Sequence, residues 1–144
     1  MDVDRVSRLI EDIEGTLRVV SELVGSSFED FMRDVRSRYA LRYAIVEIVE
    51  SSTALGLHIL REDFGVERVE SYSQVFDKLV ENGVISSAIG EGMKRLVRLR
   101  NLVVHRYWEV DDARMYREAR EGEIDIVKRF IEEIKGYVSR ARGS

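Results

Sequence analysis

The chain has 144 residues, with 23 Lys and Arg against 27 Asp and Glu, two His, no Cys, no Pro and a formal net charge of −4. A chain of this length forms one domain around a single core, and the lack of cysteine excludes a disulfide scaffold, a thiol nucleophile and a cysteine-based zinc site. The acidic balance excludes indiscriminate binding to phosphate backbones, which needs a broad excess of Lys and Arg, so any nucleic-acid contact has to be local.

Without proline, and with glycine mostly at segment ends, the chain favours long helices. Val6, Leu9, Ile13, Leu17, Val20 and Val24 recur at spacings of three and four, which predicts a first helix from about Val3 to Val24, closed by Gly25-Ser26-Ser27. A second run, about Phe28 to Arg61, carries two apolar stripes: Leu41, Ile45, Ile48, Leu55 and Ile59 on one, Tyr39, Tyr43, Val46, Val49 and Leu57 on the other. A helix apolar on two faces belongs in the middle of a bundle, so Tyr39 and Tyr43 are expected in the core. The apolar period is interrupted from Asp34 to Ser37, where a break is expected, and Gly65 ends the run.

Glu67 to Ser73 reads as a connection, followed by a short helix over about Gln74 to Glu81 that stops at Asn82-Gly83. Ser86 is the expected N-cap of a helix through Ile89, Met93, Leu96 and Val97 and on into RNLVVHRYW. Asp111 and Asp112 restart the chain; DDARMYREAREGEID reads as exposed helix and turn. The last helix starts near Glu123 with Ile124, Val127, Ile131, Ile134 and Val138 at a three-four repeat, and the polar tail RARGS is expected to fray. The reading is one all-α domain over residues 1–144, an antiparallel bundle of four to five principal helices.

Hydrophobic residues make up 44%, an ordinary globular fraction that argues against disorder. No uncharged apolar run approaches the roughly 20 residues of a bilayer span. The N-terminus MDVDRVSRLIEDIE is acidic where a signal peptide is basic and then apolar. A cytoplasmic protein without a membrane partner is therefore expected.

One segment carries chemistry. Lys94 to Trp108, KRLVRLRNLVVHRYW, concentrates Lys94, Arg95, Arg98, Arg100, His105 and Arg106 in an otherwise acidic chain. At about 100° per residue, Arg100 falls in the stripe of Met93, Leu96, Val97, Val103, Val104 and Tyr107, facing the core. A guanidinium keeps its charge and needs a partner there, which leaves three alternatives: a carboxylate, with Glu47 or Glu50 as candidates, a helix C-terminus, or a phosphate. His105 lies about 140° from Arg100 on an ideal helix, so one straight helix does not aim both at a single atom. Either the helix bends or ends between them, or a two-fold dimer gathers two copies of the segment in one cleft.

Arg100-Asn101, then His105 with four residues between it and Arg100, then Tyr107 two further on, resembles the R-x4-H-x-Y motif of HepT. HepT proteins are the toxins of HEPN/minimal-nucleotidyltransferase toxin–antitoxin pairs. The similarity extends to total length, the all-helical plan, the long central helix beginning near Tyr39-Ala40-Leu41-Arg42-Tyr43-Ala44-Ile45, and the place of the motif near the end of the penultimate long helix. The resemblance implies a HEPN fold, a homodimer with both motifs in a shared cleft, RNA cleavage without a metal or other cofactor, and a minimal nucleotidyltransferase antitoxin of the MntA type as partner. It assigns Arg100, Asn101 and His105 to the active site and makes Tyr107 the hydroxyl that receives AMP.

The residue types suit that chemistry. Attack of a ribose 2′-OH on the adjacent phosphate needs a proton acceptor, a proton donor and a cation for the phosphorane. An imidazole serves either proton role near neutrality, and two copies divide the work. Arg100 supplies a permanent charge in a planar fork, and Asn101 has two open roles, binding a phosphate oxygen or orienting the imidazole. Lys94, Arg98 and Arg106 are either a solvated face or contacts to RNA or an acidic partner. Trp108 reads as an apolar anchor at the helix end or at an interface. His58 reads as a packed or edge histidine, and two histidines some fifty residues apart do not make a metal site. The alternatives to a nuclease are a non-catalytic HEPN module that binds a nucleotide or docks a nucleotidyltransferase, and a bundle in which Arg100 is purely structural.

Overall fold

Side-chain oxygens start the helices. Asp2, Ser27, Asp34, Ser71, Ser86 and Asp111 each accept a hydrogen bond from a backbone N–H two or three residues ahead, satisfying a donor that the first turn leaves open. The resulting elements, described over residues 1–143 of a computed structural model, are α1 (Val3–Gly25), α2 (Phe28–Arg33), α3 (Val35–Phe64), α4 (Tyr72–Glu81), α5 (Ser87–His105), α6 (Asp112–Glu118) and α7 (Ile124–Gly143). Five of these are principal helices, arranged as an all-α antiparallel bundle, and α2 and α6 are short connectors. The break expected between Asp34 and Ser37 falls at Asp34, which leaves the helical conformation and caps α3. Left-handed glycines, Gly65 and Gly83, stand where α3 and α4 stop.

The core follows the predicted stripes. Val6, Ile13, Leu17, Val20 and Val24 of α1 are buried, as are Leu41, Ile45, Ile48, Leu55 and Ile59 of α3. Helix α3 is the central element and packs on α1, α4 and α5. Its most apolar 18-residue stretch has a mean hydropathy of 1.3, which by length and composition alone suits a membrane span; 56% of that stretch is buried inside the bundle, the situation of a core helix. Close approach of α3, α4 and α5 depends on two glycines: a Cβ on Gly56 would lie 2.8 Å from Val75 Cγ1, and one on Gly90 would lie 2.5 Å from Val80 Cγ2. This tight packing brings Glu50, Tyr72 and Arg100 together.

Four expectations are corrected. Tyr39 and Tyr43 are not core residues; they are 61% and 65% exposed, so the second apolar stripe of α3 opens to solvent toward the helix N-terminus. Helix α5 ends at His105 instead of continuing through Trp108, and Tyr107–Glu109 forms one turn of 3-10 helix. The DDARMYREAREGEID segment is not merely exposed: Met115, Tyr116 and Ala119 are buried, and the Tyr116 hydroxyl donates to the Ser26 carbonyl at 2.5 Å. The tail is helical to Gly143; Ser144, the last residue of RARGS, lies outside the described residues. Between α6 and α7 the helix widens into a π turn over Ala119–Glu123.

Candidate active site

Arg100 leaves α5 toward α3 and α4, as its position on the wheel requires, and of the two candidate partners the structure selects Glu50. Nε and Nη2 both donate to Glu50 Oε1, at 3.0 and 2.7 Å. The guanidinium lies over the Tyr72 ring, 4.8 Å from its centroid, and the Tyr72 hydroxyl donates to Glu50 Oε2 at 2.9 Å. That hydrogen bond to a carboxylate is the main cause that raises the Tyr72 pKa, with burial second, so the hydroxyl keeps its proton. Nη1 turns the other way and donates to Asn101 Oδ1 at 3.1 Å. Only 17% of the Arg100 side chain is exposed.

The remaining motif residues are open to solvent. Asn101, His105, Tyr107 and Trp108 are all exposed. Tyr107 had two readings, as a core aromatic on the Arg100 stripe and as a modifiable hydroxyl. Because α5 stops at His105 the stripe does not reach it, and its ring is 61% exposed, edge-on to Trp108 at a centroid distance of 5.2 Å. Trp108 is 69% exposed and so lies outside the core of the described residues.

Long-range contacts from α3 and α6 hold this turn. Arg42 donates from Nε and Nη2 to the two oxygens of Asp112, both at 2.8 Å, and from Nη1 to the Tyr107 carbonyl at 3.3 Å. Arg38 adds a second ion pair to Asp112 at 3.5 Å. The Arg42 guanidinium also lies 5.4 Å from the centroid of the Tyr39 ring. Arg42 thereby joins two exposed groups into one surface, Tyr39 and Tyr43 on α3 with Val104, Tyr107 and Trp108 after the motif. Several neighbouring large apolar side chains left in solvent mark an interaction surface.

The basic residues divide. Lys94 is tied to Asp77 at 2.8 Å and Glu91 at 2.9 Å, which raise its pKa and take up its charge. Arg106 is exposed and pairs loosely with Glu109 at 3.7 Å. Arg98 is exposed and makes no ion pair among the described residues. It lines, with Arg95, Leu99, Leu102 and Glu123, a groove of about 850 Å³ between α5 and the π turn. Glu123 is mostly buried there, which together with the nearby Glu118 carboxylate raises its pKa to about 7. His58 is an edge histidine whose Nε2 accepts from the Asp2 N–H at 3.1 Å. Among the described residues no group of three or more His, Asp or Glu is placed to hold a metal ion.

The sequence offers Glu50 as a partner for Arg100 but assigns no role in the site to Tyr72, Arg42 or Asp112. Tyr72 and Glu50 are 22 residues apart, and Arg42 and Asp112 are 70 apart, so no local periodicity joins either pair.

With this geometry in hand, comparison with known proteins places the chain. Residues 13–134 match the family described as Ribonuclease HepT-like, and the chain belongs to that family. A protein of Archaeoglobus fulgidus named "Putative RNase" is 26% identical over 136 residues, spanning 94% of this chain and 97% of that protein. The fold is also that of the tri-AMPylated HEPN toxin of Shewanella oneidensis solved in complex with MNT antitoxin, at a TM-score of 0.85 and 21% identity over 94% of this chain and 99% of the toxin. A cytosolic protein of unknown function from Bacillus subtilis, YutE, superposes with a TM-score of 0.84 at 18% identity over 100% of this chain and 95% of its own.

Proposed function

We propose that the protein is the endoribonuclease toxin of a HepT/MntA-type toxin–antitoxin pair, acting in the cytoplasm as a homodimer. The observation that carries this reading is the disposition of the motif. Arg100 is part-buried and oriented, while Asn101 and His105 at the end of the same helix, and Tyr107 in the turn that follows, are solvent-facing beside the exposed aromatic surface of Tyr39, Tyr43 and Trp108. In a two-fold dimer formed on that surface, two Arg100 and two His105 share one cleft.

In such a cleft one His105 removes the proton from a ribose 2′-OH and the other protonates the leaving 5′-oxygen, which yields a 2′,3′-cyclic phosphate and a 5′-hydroxyl. Arg100 stabilises the charge that builds on the phosphorane, and Asn101 meets a non-bridging oxygen or the imidazole. Charge neutralisation rests on arginine and the proton transfers on imidazole, so the mechanism needs no metal. Arg98 and Arg106, both exposed, contact the RNA backbone or the acidic partner; Lys94, already paired twice, contributes less. Tyr107, exposed at the rim of the cleft, is the hydroxyl that a partner nucleotidyltransferase modifies with AMP. The bulky anion then occupies the place of an RNA phosphate.

One observation favours a second reading. Arg100 is already neutralised by Glu50, as expected of a helical bundle in which Arg100 is purely structural. The two readings separate in a pair of variants. A nuclease loses cleavage in His105→Ala and in Arg100→Ala alike. A structural bundle shows neither cleavage nor nucleotide binding, and Arg100→Ala only lowers its stability, by a few kcal/mol, as breaking a shielded ion pair does.

A further inference from the structure

We infer that Glu50 and Tyr72 are positioning residues for Arg100, clamping its guanidinium so that one N–H on each Nη is left to meet a phosphate. This inference rests on the ribonuclease reading above and extends it to two residues outside the motif.

Donor counting carries the argument. A guanidinium has five N–H donors. Three are engaged among the described residues: Nε and one on Nη2 with Glu50 Oε1, and one on Nη1 with Asn101 Oδ1. The two that remain are one on each terminal nitrogen, the pair of nitrogens that meets two oxygens of a phosphate. Because Glu50 holds the Nε side, the ion pair leaves these two donors free. The Tyr72 ring fixes the guanidinium plane from one face, and its hydroxyl fixes the second oxygen of Glu50. Rotation of Arg100 about its long side chain is thereby removed before RNA arrives, an entropic cost that is otherwise met in the transition state.

The clamp also sets a sign. Glu50 offsets the charge of Arg100 in the free protein and moderates its attraction for any passing phosphate. A neutral residue at 50 strengthens the ground-state attraction and loosens the orientation. Glu50→Gln is therefore expected to lower kcat at least tenfold while KM for RNA stays level or falls. Tyr72→Phe keeps the ring and loses the hydroxyl, so a fall in kcat of severalfold at unchanged KM is expected.

The test is steady-state cleavage of a fluorogenic oligoribonucleotide by parent, Glu50→Gln and Tyr72→Phe. It is read well below each melting temperature, so that all three are folded. Beside it, the Arg100 Nε–H resonance is followed by NMR while a 2′-O-methyl oligoribonucleotide is added. The inference predicts the kcat losses without a rise in KM, and an Nε–H signal that stays on Glu50 while the Nη signals move. Should Glu50→Gln fail to fold, Tyr72→Phe and the NMR titration carry the test. Parent-like kcat in the folded variants, or an Nε–H that leaves Glu50 as RNA binds, overturns the inference while the nuclease reading stands. A parent that neither cleaves RNA nor binds the 2′-O-methyl strand overturns both.

Discussion

Arg42 grips Asp112 with two parallel hydrogen bonds of 2.8 Å, joining the N-terminal half of α3 to the first turn of α6. The pairing raises the Arg42 pKa and is mostly shielded from water. With its third nitrogen on the Tyr107 carbonyl, Arg42 holds the turn that ends α5 and exposes Tyr107. Asp112→Ala leaves both Arg42 and Arg38 without this carboxylate. A stability loss of about 1–3 kcal/mol is expected, the usual effect of removing a charged hydrogen-bond partner. Faster amide exchange from Tyr107 to Val110 accompanies it. Denaturant melts and hydrogen exchange read both effects, and unchanged exchange in that turn would refute the tie.

The exposed aromatic surface predicts a dimer. Tyr43→Asp, at a side chain 65% exposed in the single chain, changes little in the monomer's own packing but places a charge in the proposed interface. Light scattering should show a parent of twice the chain mass and a variant of the chain mass, with RNA cleavage lost in the variant. Mixing Arg100→Ala with His105→Ala protein is expected to restore no activity, since each mixed dimer holds a single His105 where the cleft uses two. A stable parent monomer would contradict the shared cleft.

Glu123 makes stability depend on pH. Burial, then the Glu118 carboxylate, lift its pKa to about 7 from 4.5, with Arg95 opposing. A carboxyl whose folded pKa is raised binds more protons in the folded state than in the unfolded chain between those values. Its contribution is therefore full below about 4.5 and is lost as pH rises through about 7. At about 1.4 kcal/mol per unit, the loss is on the order of 3 kcal/mol. Glu123→Gln should flatten that part of the curve, raising the melting temperature at pH 8 and changing it little at pH 4.5. Equal shifts at both values would contradict the assignment.

Gly56 tests the close approach of α3 and α4. An added Cβ meets Val75 Cγ1 at 2.8 Å and Leu79 Cδ1 at 2.9 Å, so Gly56→Ala should cost about 1–3 kcal/mol by overpacking. It outweighs the gain in helix propensity of roughly 1 kcal/mol. Chemical denaturation measures the sum, and a stabilised variant would show that the helices separate freely.

Much of this was legible in the sequence because helical spacing and burial are the same fact seen twice. The stripe of α1, the first stripe of α3 and the Ser86 cap all stand where spacing put them. Arg100 on an apolar stripe called for a carboxylate, a helix C-terminus or a phosphate, and Glu50 supplies the first. The errors share a cause. A second apolar stripe on α3 implied burial, but burial needs a covering element, and Tyr39 and Tyr43 stand mostly in solvent. A wheel carried past His105 put Tyr107 inside, whereas Arg42, 65 residues away, holds the carbonyl of a turn that has left the helix. Tyr72 gave no signal at all, since its role arises only where α3, α4 and α5 meet.

The central claim is that this chain cuts RNA with Arg100 and His105. Its most direct test is to incubate the purified protein with a mixed RNA substrate in EDTA, beside His105→Ala prepared identically, and to identify the product ends by mass spectrometry. The account predicts cleavage by the parent alone, leaving 2′,3′-cyclic phosphate and 5′-hydroxyl ends. Equal cleavage by His105→Ala, or no cleavage by a parent whose Tyr107 mass spectrometry shows to be unmodified, would contradict it.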